Sequence, residues 1–401
     1  MLVMQPGSRV PGAPLARRLL LRAGAVLGGV GGVAATTGAL PTTRLPAAYA
    51  ASGWRLGETA LAGRLEREGP GRWSTGRRRA EPFRMVALTW RGELDATLRV
   101  RTRSRGSWGE PTVLRPMEDG PDPDVPEGGR GRRGVHPLWV GRADGVEVLV
   151  TGDRRPEGLR LVLIDPGQLD GDDSDRPSMP AARPRRGKLP RRAPRPALRS
   201  RRDWGADESL RSGDPVMCRT IQQVHVHHTA SGNDYSRREV AGLIRGFYRY
   251  HTQSLGWSDL GYNFLVDCFG RTCVGRAGGP GRRVRGAHTL GFNHTSVGVA
   301  VIGNFENRRP PDRVVTALVR LAAWKLDAHG RRPLGKARVY SKGSDRFPVG
   351  WVRLKVIYGH RDTNLTACPG DELQARLPEI RRRTHWHVER YRRRRRRDRR
   401  R

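Results

Sequence analysis

The sequence predicts an α/β domain over residues 203–385, preceded by a small β-rich module over residues 51–170. Short runs in which apolar and polar residues alternate, separated by Gly, Pro and Asp turns, occupy the first region, as expected for strands. The second region has two long amphipathic stretches between strongly apolar runs of strand length. At 401 residues the chain is long enough for two domains, each burying its own core.

The first 50 residues are predicted to be an export signal. Arg17 and Arg18 precede a weakly apolar run that is too short and too rich in glycine for a membrane span. The paired arginines indicate the twin-arginine route, and Ala48 and Ala50 supply the small residues that a signal peptidase recognises. We therefore expect a secreted, extracellular protein with no stable membrane insertion after signal cleavage. The alternative is an Ala/Gly-rich extension with no targeting role.

The β-rich module is predicted from five runs within residues 84–164 in which side chains alternate with period two. These runs are "RMVALTW", "ATLRVRT", "PLWVG", "VEVLVT" and "LRLVLID". No motif in them identifies a role for the module. Attachment to a cell wall, inhibition of the domain that follows and assistance in its folding are all compatible with this pattern.

Two Arg-rich segments flank the α/β domain. Residues 171–202 contain six prolines interleaved with arginines and are predicted to be a stiff, extended linker. Residues 386–401 are predicted to be a disordered tail, because nine of the last ten residues are arginine and cannot build a core.

The overall charge is strongly basic, with 76 Lys+Arg against 39 Asp+Glu and a net charge of +37. Such a protein associates with anionic polymers, and a bacterial cell wall is one of them. No reading helix and no aromatic RNA-binding signature accompanies the charge, so we expect no specific nucleic-acid partner. A polyanion-binding protein that works through the linker and the tail is the alternative.

Within the α/β domain, "QVHVHHTA" is predicted to be a strand with His225 and His227 on one face and His228 on the other. "SRREVAGLIRGFYRYHTQS" is predicted to be a helix that opens with a capping box of Ser236 and Glu239. The apolar row of this helix is predicted to contain Val240, Ile244 and Phe247. His251 follows on the same row one turn later.

The remaining elements of this domain follow the same logic. "YNFLVD" and "SVGVAVIG" are apolar enough for central strands. "DRVVTALVRLAAWKLDAHG" is predicted to be a helix from an N-cap at Asp312 to Gly330. "KVIYGH" is predicted to be a strand that places His360 at its exit.

The chain has four cysteines, which in an exported protein are expected to be paired or metal-bound. Cys268 and Cys273 flank "FGRT" in a predicted hairpin, so a disulfide between them is possible, and Cys218 competes for Cys268. Cys368 is then left over, and a metal would protect its thiol.

Three potential metal ligands stand at or just after predicted strand ends: His227, His360 and Cys368. Two nitrogens and one sulfur with an open fourth position are the pattern of catalytic zinc, because closed structural sites use four protein ligands. A water in the open position would have its pKa lowered to about 7. The competing interpretation makes Cys368 a thiolate nucleophile with His360 as its base, and spacing alone does not separate the two.

Six motifs occur in one order along the chain: "VHHTA", "GWSDLGYNFLVD", "GRAGG", "GAHTLGFN", "GVAVIGNF" and "GHRDTNLTACPG". In that order they resemble the zinc-dependent N-acetylmuramoyl-L-alanine amidases of the type-2 amidase and peptidoglycan recognition protein family. The resemblance covers about residues 198–385, and the whole chain resembles secreted actinobacterial members. It implies a mixed central β-sheet flanked by helices, and Zn²⁺ held by His227, His360 and Cys368.

The resemblance also implies roles for residues around the metal. Tyr262 and Thr366 occupy the catalytic positions, and His228 and Thr229 would line the substrate groove. Phage members of the family have a lysine where this chain has Thr366, whereas amidase-active recognition proteins use threonine there. The departure therefore does not argue against catalysis.

The third stem residue of peptidoglycan is lysine or diaminopimelate, and the second carries an extra carboxylate. In recognition proteins of the family, a Gly-Trp pair and a downstream arginine accompany diaminopimelate preference. Here the pair is Gly256 and Trp257 and the arginine is Arg276, which can bind a carboxylate with two parallel hydrogen bonds. His251 and His288 are expected to contact the same substrate.

The implied activity is hydrolysis of the amide between the lactyl group of muramic acid and L-alanine. Peptidoglycan is therefore the expected partner, and the protein is expected to associate with the cell wall. The alternative is a non-catalytic peptidoglycan receptor. Receptors of this family commonly lack a metal ligand, above all the cysteine, and this chain has all three.

Overall fold

A computed structural model describes residues 53–128, 131–182 and 192–398, with side chains described as far as residue 393. All of these residues belong to one compact unit. The predicted export signal, residues 1–50, lies outside the described residues. Within the described part of the chain, no helix is both long enough and apolar enough to cross a membrane.

The β-rich module is a ten-stranded sheet with antiparallel pairing, in which the central path is β1-β10-β4-β9-β3-β2 and β5 pairs with β9. Its strands are β1 (Arg55–Ala60), β2 (Glu66–Gly69), β3 (Arg72–Ser74), β4 (Arg78–Arg91), β5 (Ala96–Ser104), β6 (Ser107–Trp108), β7 (Thr112–Leu114), β8 (Arg133–Gly134), β9 (Leu138–Gly152) and β10 (Glu157–Asp165). All five predicted runs lie mainly within strands. Two of them join into the single long strand β9, which passes through Gly141 at a φ of +65°.

The α/β domain contains a five-stranded mixed sheet with the order β13-β12-β14-β11-β17, and a separate hairpin of β15 and β16. The strands are β11 (Gln223–His228), β12 (Phe264–Val266), β13 (Thr272–Val274), β14 (Ser296–Val301), β15 (Lys336–Ser341), β16 (Gly350–Lys355) and β17 (Ile357–Gly359). Only β13 pairs antiparallel within the five-stranded sheet. Every residue of β11 and β14 is buried, as expected for central parallel strands. The predicted fold class is confirmed.

In the described part of the chain, three α-helices accompany the sheets: α1 (Val240–Arg249), α2 (Asp312–Ala328) and α3 (Asp371–Asp398). The capping box of Ser236 and Glu239 is present, and the chain enters α1 through one 3₁₀ turn. The predicted N-cap at Asp312 is wrong, because Pro311 holds that position. The Asp312 carboxylate instead accepts a hydrogen bond from Arg376 at 2.6 Å.

The α/β domain has an apolar cluster of its own between the mixed sheet and helices α2 and α3, whereas the module shares a second large cluster with α1 and its neighbours. Helix α1 packs closely against the module, since a Cβ added at Gly246 would lie 2.2 Å from the sulfur of Met85 and would force that side chain to move. The hydroxyl of Tyr250 donates to the carbonyl of Leu88 at 3.3 Å. The module is therefore a packed part of the domain and not an appendage.

The predicted linker, residues 171–202, also packs against the α/β domain where it is described. Asp172 is buried and forms an ion pair with Arg245 of α1. Met179 and Leu198 pair with each other through backbone hydrogen bonds of 3.2 and 2.9 Å. These parts of the segment are extended, but they do not span free space.

The prediction of a disordered tail from residue 386 is wrong as far as Asp398, because α3 continues to that residue. Val388 is fully buried, and Arg392 forms an ion pair with the buried Asp327 at 3.1 Å. Helix α3 has an apolar face that docks on α2 and that the high arginine content did not predict. Its members are Leu373, Leu377, Ile380 and Val388.

All four cysteines are free thiols. Neither of the two pairings that the sequence left open, Cys268 with Cys273 or Cys268 with Cys218, is therefore formed. In the β12–β13 ladder, Cys273 lies opposite Leu265 and not opposite Cys268. The Cys218 sulfur is instead 3.6 Å from the carbonyl oxygen of Asn293.

Candidate active site

The three predicted metal ligands meet at one edge of the five-stranded sheet. His227 lies near the end of β11 and His360 directly follows β17, and these two parallel strands are neighbours. Their imidazole centroids are 4.7 Å apart. The Cys368 sulfur is 3.7 Å from Nδ1 of His227, and the potential ligand atoms of all three residues lie within 4.8 Å of one another. All three side chains are buried.

A fourth side chain, which the sequence analysis missed, joins this group. Asp119 belongs to the segment between β7 and β8 of the β-rich module. Its Oδ1 lies 3.3 Å from Nδ1 of His227 and 3.3 Å from Nδ1 of His360. Both Asp119 Oδ1 and His360 Nδ1 are buried, and neither has a hydrogen-bond partner.

The N–O and N–S distances in this group match those between neighbouring ligands of a tetrahedral zinc ion. With zinc–ligand distances of about 2.1 Å for nitrogen and oxygen and about 2.3 Å for sulfur, tetrahedral neighbours lie about 3.4 Å apart for N–O and about 3.6 Å for N–S. The observed separations are 3.3 and 3.7 Å. Imidazole with thiolate favours zinc over magnesium or calcium. A cation would also satisfy the two buried polar atoms that otherwise have no partner.

The protonation of the histidines is compatible with metal binding. Burial lowers the pKa of His227 and of His360 to about 3. Both imidazoles are therefore neutral at physiological pH, which is the form that binds a metal.

The Cys368 thiol does not fit the alternative of a thiolate nucleophile. Burial, followed by the neighbouring Asp119 carboxylate, raises the pKa of this thiol well above its ordinary value. Without a bound cation the thiol stays protonated and is a poor nucleophile. The sulfur is within hydrogen-bond range of a His227 nitrogen, whereas neither ring nitrogen of His360, the proposed base, has a hydrogen-bond partner. A metal ion would reverse the preference and stabilise the thiolate.

A second layer of polar side chains holds the ring of His227. Its Nε2 lies 3.1 Å from Nδ1 of His288, and that nitrogen lies 3.0 Å from the hydroxyl of Thr289. His288 is fully buried beside Gly298 of β14, where an added Cβ would lie 2.3 Å from the imidazole. In this conformation the imidazole of His288 contacts His227, the arrangement of an outer-shell partner of a metal-binding histidine. The expected contact of His288 with substrate stays a prediction.

Both predicted catalytic hydroxyls are bound to acidic residues from the module. The hydroxyl of Tyr262 donates to Oδ2 of Asp119. The hydroxyl of Thr366 donates to Oε2 of Glu118 at 3.0 Å and accepts the backbone N–H of Cys368 at 3.0 Å. Burial, followed by Asp119, raises the pKa of Glu118 to about 7.

The two residues after His227 have different surroundings. The backbone N–H of His228 donates to the Cys368 sulfur at 3.4 Å, and its ring lines a cavity beside that sulfur. Thr229 is buried, with its hydroxyl 2.8 Å from that of Ser231 and accepting the N–H of Gly303 at 3.0 Å. The structure therefore places His228 at the cavity, and Thr229 holds the backbone behind it.

The cavity next to Cys368 has a volume of about 360 Å³. Cys368 itself is part of its lining. Its walls come from both the module and the α/β domain. They include Arg115, Glu118, His136, His228, Arg346 and Thr366.

The residues predicted to recognise diaminopimelate lie together on the other side of Tyr262. Arg276 is buried and donates to the Glu127 carboxylate and to the hydroxyl of Ser258. The rings of Trp257 and His251 are 4.5 Å apart, and Nδ1 of His251 accepts the N–H of Gly261 at 3.2 Å. Gly256 precedes Trp257 with a φ of +77°, a conformation that favours glycine.

The residues that the sequence analysis missed are Glu118, Asp119 and Glu127. Their segment carried a signal, because residues 118–127 contain five acidic and no basic residues in a chain of net charge +37. We define these ten residues as the acidic loop. Its local composition is the opposite of the charge of the chain, and that contrast marks a segment with a basic or cationic partner.

The mixed sheet, and the buried His–His–Cys group at its edge that could hold a metal ion, define the class of this α/β protein. Residues 217–371 match the family model described as N-acetylmuramoyl-L-alanine amidase. Residues 39–185 match the model described as Rv3811 N-terminal galactose-binding domain-like. The chain belongs to the N-acetylmuramoyl-L-alanine amidase family that includes the peptidoglycan recognition proteins.

Two relatives from Drosophila melanogaster illustrate this membership. Peptidoglycan-recognition protein SA is 34% identical over 139 residues, which are 34% of this chain and 66% of that protein. Peptidoglycan-recognition protein SC1a is 30% identical over 161 residues, which are 40% of this chain and 72% of that protein. The match therefore covers the α/β domain and not the whole chain.

Solved structures with similarity to this chain include two recognition proteins. One is Drosophila PGRP-LB, with 27% identity, a TM-score of 0.36, and coverage of 45% of this chain and 91% of that chain. The other is peptidoglycan recognition protein-LE in complex with tracheal cytotoxin, a monomeric diaminopimelic acid-type peptidoglycan. It has 26% identity, a TM-score of 0.36, and coverage of 45% and 91%.

Proposed function

We propose that this protein is a secreted, zinc-dependent N-acetylmuramoyl-L-alanine amidase that hydrolyses the bond between the lactyl group and L-alanine in peptidoglycan. The observation that carries the proposal is the buried group of His227, His360 and Cys368, whose spacing fits zinc. The relatives are peptidoglycan-recognition proteins by name, which supports peptidoglycan as the partner. Secretion and association with the cell wall stay predictions from residues 1–50 and the net charge.

Different residues of this chain have different roles in such a reaction. Zinc supplies a Lewis acid that polarises an amide carbonyl and makes water more acidic. Cys368 contributes the thiolate ligand, and the backbone N–H of His228 holds its sulfur. Nε2 of His227 lies 3.1 Å from Nδ1 of His288. With the proton of His227 on Nε2 and shared with His288, Nδ1 of His227 would be free to bind the metal.

Tyr262 and Thr366 are the proposed hydroxyl donors to the oxyanion that forms when the amide is attacked. Burial, followed by Asp119, raises the pKa of Tyr262 well above its ordinary value. The phenol therefore keeps its proton at physiological pH and can donate it in a hydrogen bond. Thr366 is held beside the metal ligand by the N–H of Cys368.

The alternative function is a non-catalytic peptidoglycan receptor. A receptor needs the groove but not the metal, and the loss of the cysteine ligand is its usual sign. This chain has all three ligands together in one buried group, which favours the enzyme.

Mass spectrometry of digested peptidoglycan tests the proposal. The natural chain and the Asp119→Ala variant are incubated with purified diaminopimelate-type walls, with and without a zinc chelator. We expect the Asp119→Ala variant, and at most also the natural chain, to release stem peptides with a free L-alanine amino group. The chelator should abolish this release, and added zinc should restore it. Zinc-loaded proteins that release no stem peptide from any wall would support the receptor.

Diaminopimelate preference is the second part of the proposal, and it depends on Arg276. In a Glu127→Gln background, where this arginine has lost its acidic partner, Arg276→Ala is expected to lower kcat/KM for a diaminopimelate muropeptide by about 10- to 100-fold, the value of a hydrogen bond to a charged group. The lysine-type muropeptide should change much less. Arg282→Ala, at a nearby exposed arginine, is the matched control. Equal losses for both substrates would show that Arg276 does not select between them.

A further inference from the structure

We infer that the acidic loop, residues 118–127, is an internal mimic of the substrate, and that Asp119 is the fourth ligand of the metal. In this conformation the chain is latent, and the loop must leave the groove before peptidoglycan enters. The inference rests on the proposed function, because it concerns what keeps that same site closed.

The position of Asp119 is the first step. A carboxylate oxygen is an ordinary zinc ligand, and four protein ligands make a closed site, whereas catalytic zinc keeps one position for water or substrate. Asp119 Oδ1 lies 3.3 Å from Nδ1 of both His227 and His360, the separation expected between neighbouring ligands of a tetrahedral zinc ion. The carboxylate therefore takes the place that the reacting water needs.

The acidic loop also binds the two catalytic hydroxyls. The same carboxylate of Asp119 accepts the hydrogen bond of Tyr262 through its other oxygen. Glu118 accepts the hydrogen bond of Thr366. Each hydroxyl that would stabilise an oxyanion is thus directed at a carboxylate oxygen of the acidic loop.

The far end of the loop provides the third step. Glu127 binds Arg276, and it also accepts hydrogen bonds from the backbone N–H and the hydroxyl of Ser258, each at 2.6 Å. Arg276 is the proposed partner of the diaminopimelate carboxylate. The loop therefore places one carboxylate at the metal and a second at the specificity pocket, the two points where a stem peptide would present its scissile carbonyl and its third residue.

The middle of the loop is anchored between these two points. Asp122 is fully buried and binds Arg285, the N–H of Gly291 at 2.8 Å and the amide of Asn293 at 3.1 Å. Asp124 accepts a second hydrogen bond from Arg285 at 3.1 Å. The anchors are polar and ionic, whereas the rest of the module is held to the domain by the shared apolar cluster. The loop can therefore leave while the module stays in place.

A catalytic role for Asp119 is the competing explanation of its position. The side chains of Asp119 and His227 are 1% and 0% exposed, respectively, so a peptide attached to a glycan strand cannot reach them in this conformation. Any productive complex requires displacement of the acidic loop, and displacement removes Asp119 from the metal. Asp119 therefore occludes the site and is absent from the metal when substrate is bound, which a catalytic residue would not be.

The test compares Asp119→Ala and Asp119→Asn with the natural full-length chain. Asp153→Ala is the matched control, because it removes an exposed acidic residue between β9 and β10 of the same module. Each protein is loaded with Co²⁺ and titrated with acetohydroxamate, a small chelating anion, while the visible absorption of the metal is recorded. We expect at least about tenfold tighter acetohydroxamate binding in Asp119→Ala than in the natural chain, by analogy with the 10- to 100-fold effects of ligand-shell changes. Asp153→Ala should match the natural chain.

Two further measurements accompany the titration. Zinc affinity, measured by competition with a chromophoric chelator, should fall in Asp119→Ala while muropeptide hydrolysis rises. Glu127→Gln, at the opposite end of the acidic loop, should also raise hydrolysis without altering the metal ligands. A variant that merely unfolds is not expected to lose zinc affinity while its rate of muropeptide hydrolysis rises. Asp119→Asn is included because it keeps the shape of the side chain.

The outcomes separate this inference from the proposed function. Equal acetohydroxamate affinity and equal hydrolysis in the natural chain and Asp119→Ala would overturn the inference and leave the amidase proposal supported. Loss of hydrolysis in Asp119→Ala with zinc retained would also overturn it, and would assign Asp119 to catalysis. Tighter acetohydroxamate binding with no hydrolysis in any variant would support the loop as an internal ligand and overturn the amidase.

Discussion

In a chain whose Asp119 is already alanine, replacement of Cys368 by alanine is expected to remove the metal and to reduce hydrolysis of peptidoglycan to background. The double variant has only two of the four potential ligands, His227 and His360, and two neutral imidazoles do not hold zinc at the affinity of a thiolate site. Zinc content after dialysis, measured by mass spectrometry, should fall from about one ion per chain to near zero.

The experiment needs the Asp119→Ala background. With Asp119 present, Cys368→Ala still leaves two imidazoles and a carboxylate, a set that binds zinc in other enzymes. Cys268→Ala is the matched control, because Cys268 is a half-buried free thiol in a different part of the domain. It should keep both zinc and hydrolysis. Undiminished hydrolysis by metal-free protein would contradict the assignment of the metal to catalysis.

Removal of the Arg245 side chain is expected to destabilise the protein by about 3–5 kcal/mol, because it leaves a buried carboxylate without its partner. Arg245 is buried in α1 and binds both oxygens of Asp172, at 2.8 and 2.7 Å. It also donates to the backbone carbonyls of Pro166, Gly167 and Trp204. One side chain thus connects the end of the module, the following segment and the α/β domain.

Urea denaturation of Arg245→Ala measures this effect. Arg237→Ala is the matched control, since Arg237 pairs with Asp175 at the surface, where both side chains are at least half exposed. Surface pairs contribute about 0–1 kcal/mol. The combined change Arg245→Met and Asp172→Leu should recover part of the loss, because an apolar pair leaves no buried charge. A cost for Arg245→Ala no greater than that for Arg237→Ala would contradict the prediction.

Much of the α/β domain was predictable because its signals are local. The alternation in "QVHVHHTA" predicted β11, and the Ser236–Glu239 capping box predicted the start of a helix. Both depend on residues within a few positions of one another. The strand ends at His227 and His360 also placed the two imidazoles at one sheet edge, because parallel strands that are neighbours present the same ends together.

The failed predictions concern contacts between distant parts of the chain. Arginine composition predicted a disordered tail, but a few apolar residues such as Val388 dock α3 onto α2. Spacing permitted a disulfide at Cys268, but the register of β12 and β13 places Cys273 opposite Leu265. A strand register and a docking face depend on partners far along the chain, which no local pattern specifies.

The fold class, the family and the three residues that meet as a His–His–Cys group were all predictable, because ordered motifs and period-two strands carry that information locally. Two features depend instead on contacts between distant residues: the packing of the β-rich module against α1 in one apolar cluster, and the position of Asp119 at 3.3 Å from both His227 and His360. The acidic composition of residues 118–127 was visible in the sequence, but its meaning came from where the β7–β8 segment lies. The distance of 3.3 Å between Asp119 Oδ1 and His360 Nδ1 depends on how the module packs against the α/β domain, and no local pattern in the sequence specifies that packing.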